Sequence, residues 1–147
     1  MDAVQMLKDD HDKVKGLFKK FEKAEGREQK QIAEQVFQEL EVHSKLEEEI
    51  FYPAVKRKAD EAGKETVAEA VEEHHVVDVL INEMKAMSSI NEQYRAKFTV
   101  LQENVEHHIE EEEGEMFPEA QRLLGEDIEK LGARMDKRKQ ALMAEVS

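Results

Sequence analysis

Apolar residues recur at steps of three and four along four stretches of this chain. Val4, Leu7, Val14, Phe18 and Phe21 form the first series, and Ile32, Val36, Leu40, Ile50 and Ala54 the second. Val67, Ala70, Val77, Ile81 and Met84 form the third, and Phe98, Leu101 and Val105 the fourth. Such spacing predicts amphipathic helices that each turn one face toward a core. Every series also carries polar residues in register: His11 in the first, His43 and Glu47 in the second, His74 in the third, His108 and Glu112 in the fourth.

The predicted helices run from about Asp2 to Ala24, Glu28 to Ala62, Lys64 to Ser88 and Asn91 to Leu124. Gly26, Gly63, the Ser88-Ser89 pair and Gly125 punctuate them. A short fifth helix is expected from about Glu126 to Glu145, with Ile128, Leu131, Met135 and Leu142 on its apolar side. Pro53 and Pro118 fall inside helices two and four, where the missing amide donor predicts a kink or local break. Connections this short force neighbouring helices to be antiparallel. The expected fold is all-α: an up-and-down antiparallel four-helix bundle over about residues 2–124 with a short C-terminal extra helix, all in a single domain spanning residues 1–147.

The chain also repeats itself. LKDDHDKVKGLF around His11 resembles EEHHVVDVLINE around His74, and HSKLEEEIFYP from His43 resembles HIEEEEGEMFP from His108. Within the two copies the histidines lie 32 and 34 residues apart, and the second one precedes a proline by 10 residues in both. Two helical hairpins related by an approximate two-fold would gather the four histidines at one place, a geometry suited to two metals.

Composition narrows the function classes. A formal net charge of -13 argues against nucleic acid and anionic membrane as partners, both of which reward lysine and arginine clusters. The chain has no cysteine, so disulfides and thiolate-held clusters are excluded. Its first residues lack a basic segment followed by an apolar run, and no apolar stretch approaches membrane length, so a cytoplasmic location is expected.

Six inward-turned donors need a common explanation, because an imidazole or carboxylate in an apolar interior costs several kcal/mol without a partner. A shared cation satisfies all six. His43 with Glu47, and His108 with Glu112, are i,i+4 pairs that each offer one nitrogen and one oxygen to it. Carboxylates can bridge two cations while imidazoles cap the ends, which suits iron or manganese. Zinc fits less well, since structural zinc takes four ligands, cysteine commonly among them. His75 and His107 fall off the stripes and are assigned to flanking or solvated positions, although His107 stands five residues before Glu112. Glu48, Glu49, Glu110, Glu111 and Glu113 read as a solvated face, with Glu48 and Glu111 as candidate acceptors for the outer proton of a metal-bound imidazole. Tyr52 lies about a turn from the donors and is assigned to core packing, with hydrogen bonding to a bound oxygen species as the alternative.

A histidine in helix one, HxxxE in helix two, a histidine in helix three and HxxxE in helix four, with FYP and MFP following, resembles the hemerythrin-like HHE cation-binding domain. The resemblance covers about residues 4–122. It implies a non-haem di-iron centre with a bridging oxo or hydroxo group, held by His11, His43, Glu47, His74, His108 and Glu112. The oxygen-carrying hemerythrins have a further histidine one turn after that of helix three. Asp78 stands there in this chain, either as an oxygen ligand or beside a position left to water.

The resemblance implies binding of dioxygen or a related small oxidant such as peroxide, for sensing, storage or delivery. The alternative is an enzyme acting on peroxide or nitric oxide, or a ferroxidase. Ferritin-like chemistry needs Glu-x-x-His on two helices. Here that spacing occurs once, from Glu72 to His75, and the residue three before His108 is Val105. The remaining rival is a metal-free structural bundle.

Overall fold

The computed structural model describes residues 1–146. Helix α1 spans Ala3–Lys23 and α2 spans Arg27–Leu46. A π-helical turn, π1, follows over Glu47–Phe51 and leads into α3, Tyr52–Lys58. Helix α4 is Glu61–Lys85 and α5 is Glu92–Glu111. A second π turn, π2, covers Glu112–Met116, before α6, Phe117–Leu124, and α7, Asp127–Val146. Four antiparallel rods result, α1, α2–α3, α4 and α5–α6, with α7 packed on α1, α2, π1 and α6. No helix among the described residues is long and apolar enough to cross a membrane.

The ends of the rods follow from local chemistry. Asp2, Asp60 and Asn91 cap α1, α4 and α5 by accepting from the backbone N–H of Gln5, Gly63 and Tyr94. The cap at Asp60 corrects two expectations. Helix two ends at Lys58 rather than Ala62, and Gly63 lies in the first turn of α4 instead of marking the connection. Gly26 and Gly125 do mark connections, with φ of 55° and 52°, a backbone region that side-chain-bearing residues rarely adopt. Helix α7 is 20 residues long, no shorter than α2.

Both internal prolines follow a π turn directly. The amides of Tyr52 and Phe117 bond to the carbonyls of Glu47 and Glu112, five residues back. This widening accommodates a proline that cannot donate and would crowd the preceding turn of an ordinary helix. The expected break is thus absorbed as one wide turn.

The interior divides into two apolar clusters. One gathers Leu7, Leu46, Phe51, Phe117, Leu131 and Met135. The other gathers Phe18, Phe21, Phe37, Phe98, Leu101 and Ile109. His11, His43, Glu47, His74, His108 and Glu112 are all buried and belong to neither.

Phe98 tests the second cluster independently of the polar layer, since it is buried, stacks on Phe21 at 3.8 Å between ring centroids and packs edge-on to Phe18. Phe98→Ala is expected to cost about 3–5 kcal/mol of unfolding free energy in a denaturant titration, while the bundle still captures metal.

Candidate metal centre

The six polar residues meet in two triads. The donor atoms of His11, His43 and Glu112 lie within 4.8 Å of one another, and so do those of Glu47, His74 and His108. Each triad offers two imidazole nitrogens and one carboxylate oxygen. The glutamates also join the triads. Glu112 Oε1 is 3.2 Å from His11 Nε2, and its Oε2 is 3.3 Å from His108 Nε2. Glu47 Oε1 is 3.0 Å from His74 Nε2 and 3.2 Å from His43 Nε2. The rings of His11 and His43 have centroids 5.0 Å apart, and those of His74 and His108 4.9 Å, as an approximate two-fold requires.

All four Nε2 atoms face the glutamates, and all four Nδ1 atoms face an outer carboxylate. Asp10 accepts from His43 at 3.0 Å, Glu113 from His11 at 2.7 Å, Glu48 from His74 at 3.0 Å and Glu73 from His108 at 2.6 Å. An ionised carboxylate only accepts, so Nδ1 carries the proton and Nε2 is left for the centre. Two buried atoms among the described residues, His43 Nε2 and Glu47 Oε2, have no hydrogen-bond partner. A metal ion is the kind of partner that satisfies a bare imidazole nitrogen and a bare carboxylate oxygen together. The donor set therefore fits a pair of cations.

Electrostatics in the metal-free centre follow from this crowding. Burial alone would depress the His43 imidazole, but Glu47 and the bond to Asp10 outweigh it and push His43 up to about 10. Burial likewise opposes charge on His108, and Glu112, Glu47 and Glu73 push it up to about 12. His74 rises too, against its burial, because of Glu47 and Glu48. Glu47 is held well below its ordinary range despite complete burial, chiefly by His43. Asp10 is lowered in spite of burial by its bonds to His43 and Lys139.

Several residues sit otherwise than the sequence suggested. Tyr52 is buried, but its hydroxyl belongs to the centre. It donates to Glu112 Oε2 at 2.6 Å and lies 3.3 Å from the Nε2 atoms of both His74 and His108. Burial, then Glu47 and Glu112, push the phenol well above its usual range, so it keeps its proton. Glu48 orients an imidazole as expected. Glu111 instead contacts the exposed His107 at 2.8 Å, and Glu113 is the acceptor for His11. Asp10 and Glu73 were missed. Asp78 is half-buried and raised by desolvation, and belongs to neither triad. His75 and His107 are exposed.

A signal for the outer carboxylates was present. Each is the chain neighbour of a predicted ligand: Asp10 of His11, Glu48 of Glu47, Glu73 of His74 and Glu113 of Glu112. Each serves an imidazole on a different rod, because consecutive helical residues point about 100° apart.

The profile of the hemerythrin HHE cation binding domain matches residues 2–120. Uncharacterized proteins of Mycobacterium bovis and Mycobacterium tuberculosis are each 27% identical over 139 residues, covering 92% of this chain and 83% of theirs. The crystal structure of a hemerythrin HHE cation binding domain-containing protein from Mycobacterium kansasii superposes with a TM-score of 0.85 at 24% identity, over 99% of this chain and 89% of that one. The superposition establishes the shared fold.

The raised imidazoles set a pH dependence. With folded values above the unfolded one near 6.5, the protonated His43 and His108 stabilise the metal-free chain fully below that value. This contribution is lost as pH climbs through about 10 and about 12. Calorimetry of metal-free protein is expected to show the unfolding midpoint falling from pH 7 to pH 10. Metal binding, which must displace those protons, tightens over the same interval. A flat midpoint would contradict the assignment.

Proposed function

Because the chain belongs to the hemerythrin HHE cation-binding domain family, we propose that it is a non-haem di-iron protein whose centre binds dioxygen or a related small oxidant such as peroxide. The observation that carries this reading is the pair of triads, each with two imidazoles and one carboxylate, joined through Glu47 and Glu112. Two histidines and one carboxylate with open positions is a donor set suited to non-haem iron. Manganese favours more oxygen-rich surroundings, and a pair of ions bridged by carboxylates suits iron better than zinc.

Held by the two triads, a ferrous pair would supply two electrons to a small oxidant, one from each ion, on becoming diferric. The chain decides what reaches it. A cavity of about 30 Å³ lies against the four imidazoles, lined also by the aliphatic side chains of Val14, Leu40, Val77, Val105 and Ile109, with Asp10, Ser44 and Glu73 beside them. That is room for a molecule of water or diatomic size. The aliphatic walls offer no hydrogen bonds and disfavour bulk water. Tyr52 does not line this cavity; its hydroxyl keeps its proton, donates a hydrogen bond to Glu112 and stands beside His74 and His108.

The second reading, turnover of peroxide or nitric oxide or a ferroxidase role, is favoured by a polar cleft of about 90 Å³. Glu69, Glu73, Glu111 and Glu115 line it, and it reaches His108 and Glu112, giving protons or cations a route from the surface. Peroxide consumption by the iron-loaded protein separates the two. A reversible adduct with negligible turnover supports binding.

Elemental analysis combined with absorption spectra of the reduced protein before and after oxygen is admitted tests the proposal. Two irons per chain and a new visible band are expected; fewer than one iron after anaerobic loading overturns it. His11→Ala and Glu112→Ala should each abolish stoichiometric loading, whereas a metal-free structural bundle would keep or gain stability. Tyr52→Phe is expected to weaken iron binding by about 10-fold or more and to alter the spectrum of the oxidised protein. Wild-type affinity and spectrum in that variant would return Tyr52 to a packing role.

A further inference from the structure

The four outer carboxylates are not equivalent. Side chains of Glu48, Glu73 and Glu113 are 39%, 30% and 33% exposed, whereas that of Asp10 is 7% exposed. Water solvates the first three. Asp10 instead receives a cation: Lys139 Nζ lies 2.7 Å from Oδ1 while Oδ2 accepts from His43. Among the described residues no lysine or arginine pairs with Glu48, Glu73 or Glu113. The internal repeat makes Asp10 the counterpart of Glu73, so the lysine is an addition to the repeat and comes from α7, beyond the residues the family profile matches.

A second feature holds that lysine in place. Gly132 sits against the start of α1 so closely that a Cβ there would meet Met1 O at 2.4 Å and Ala3 N at 2.8 Å. Seven residues separate Ala3 from Asp10, and seven separate Gly132 from Lys139. Helices α1 and α7 therefore run in the same direction in matched register, with the glycine contact fixing where the lysine falls two turns later. Leu131, Met135 and Leu142 bury the same side of α7 in the core.

We propose that Lys139, placed in register by the close approach of Gly132 to α1, is a positioning residue for the metal centre that acts through Asp10 on the His43 imidazole. This rests on the di-iron reading above. With one oxygen held by the ammonium group, Asp10 cannot rotate away from Nδ1, so Nε2 of His43 stays aimed at the centre. The paired carboxylate also draws less strongly on the imidazole N–H than an unpaired one would. His43 is thereby a weaker electron donor than its repeat counterpart His108, and the two metal positions are made unequal.

The test compares wild type with Lys139→Met, Lys139→Arg and Arg138→Gln. Arg138 is the chain neighbour that pairs with Glu49 at 3.0 and 3.3 Å, so its loss weakens α7 docking without touching Asp10. Three readouts are taken on full-length protein: iron affinity by chelator competition, the absorption spectrum and midpoint potential of the loaded form, and solvent exchange of the His43 Nδ1 proton by imidazole ¹⁵N NMR in the iron-free chain. Lys139→Met is expected to weaken iron binding about 10-fold, shift spectrum and potential, and speed the exchange at least severalfold. Lys139→Arg should restore all three, and Arg138→Gln should leave them as in wild type. Lys139→Gln replaces the methionine variant if that fails to fold. A folded neutral variant with wild-type exchange, or with affinity within a factor of two, overturns the inference. The same effects in Arg138→Gln overturn it too, reducing Lys139 to general docking. Should wild type hold fewer than one iron while the neutral variant still speeds His43 exchange, the di-iron reading fails and the positioning role of Lys139 stands.

Discussion

The structure depends on a layer of positive charge that must exist between two apolar clusters. Glu47 and Glu112 are almost completely inaccessible to water, and a carboxylate buried so deeply needs charged or hydrogen-bonding partners beside it. In the metal-free chain, protons on His43 and His108 supply that charge, which is why these two imidazoles rise so far against their burial. A metal pair would supply it instead, displacing the protons while meeting the bare atoms His43 Nε2 and Glu47 Oε2. Folding and metal capture would thus draw on one electrostatic requirement, with protons and metals competing for the same sites.

The outer carboxylates convert that layer into a lock between helices. Asp10 on α1 holds His43 on α2, Glu113 on π2 holds His11 on α1, Glu48 on π1 holds His74 on α4, and Glu73 on α4 holds His108 on α5. Each rod therefore both gives and receives such bonds, and sliding one rod by a turn would break contacts to two others. The arrangement follows the approximate two-fold of the sequence repeat, with two departures at the centre. Tyr52 faces one half where its counterpart Phe117 stacks on His11 in the other, and Asp10 carries a lysine where Glu73 faces a solvent cleft.

The bundle and the inward donors were legible because both are statements about helical period. Every residue placed on the four apolar stripes is buried, His11 through Glu112 included, and His75 and His107 are exposed. Helix ends were less legible where capping chemistry competes with glycine, as at Asp60 and Gly63. Apart from Glu48, the outer carboxylates escaped because their partners lie on other rods, which no single-helix register can show. Glu73 and Glu113 look like ordinary solvated acids until a neighbouring imidazole is brought against them. Lys139 is the extreme case, 129 positions from Asp10.

Tyr52 packs in the core as its spacing suggested, but its hydroxyl also reaches the centre, and the geometry that brings it there explains why the π turns stand where they do. On an uninterrupted α-helix a residue five positions after Glu47 points about 140° away from it, so a phenol there belongs to another face. A π turn closes its hydrogen bond over five residues and returns the fifth residue toward the face of the first. Both π turns begin at a glutamate of the centre, and both deliver an aromatic residue beneath an imidazole: Tyr52 against His74, Phe117 against His11. The prolines that follow make reversion to a regular α turn costly, since the rings of Pro53 and Pro118 would crowd the carbonyls of Glu49 and Gly114 four residues back. What reads in the sequence as a helix-weakening proline is, in the folded chain, the element that keeps the widened turn in place and so keeps an aromatic side chain at each half of the centre. The repeat supplies the same backbone device twice. The single oxygen atom by which tyrosine differs from phenylalanine then puts a phenol hydroxyl against His74, His108 and Glu112, where Phe117 offers His11 only a ring face.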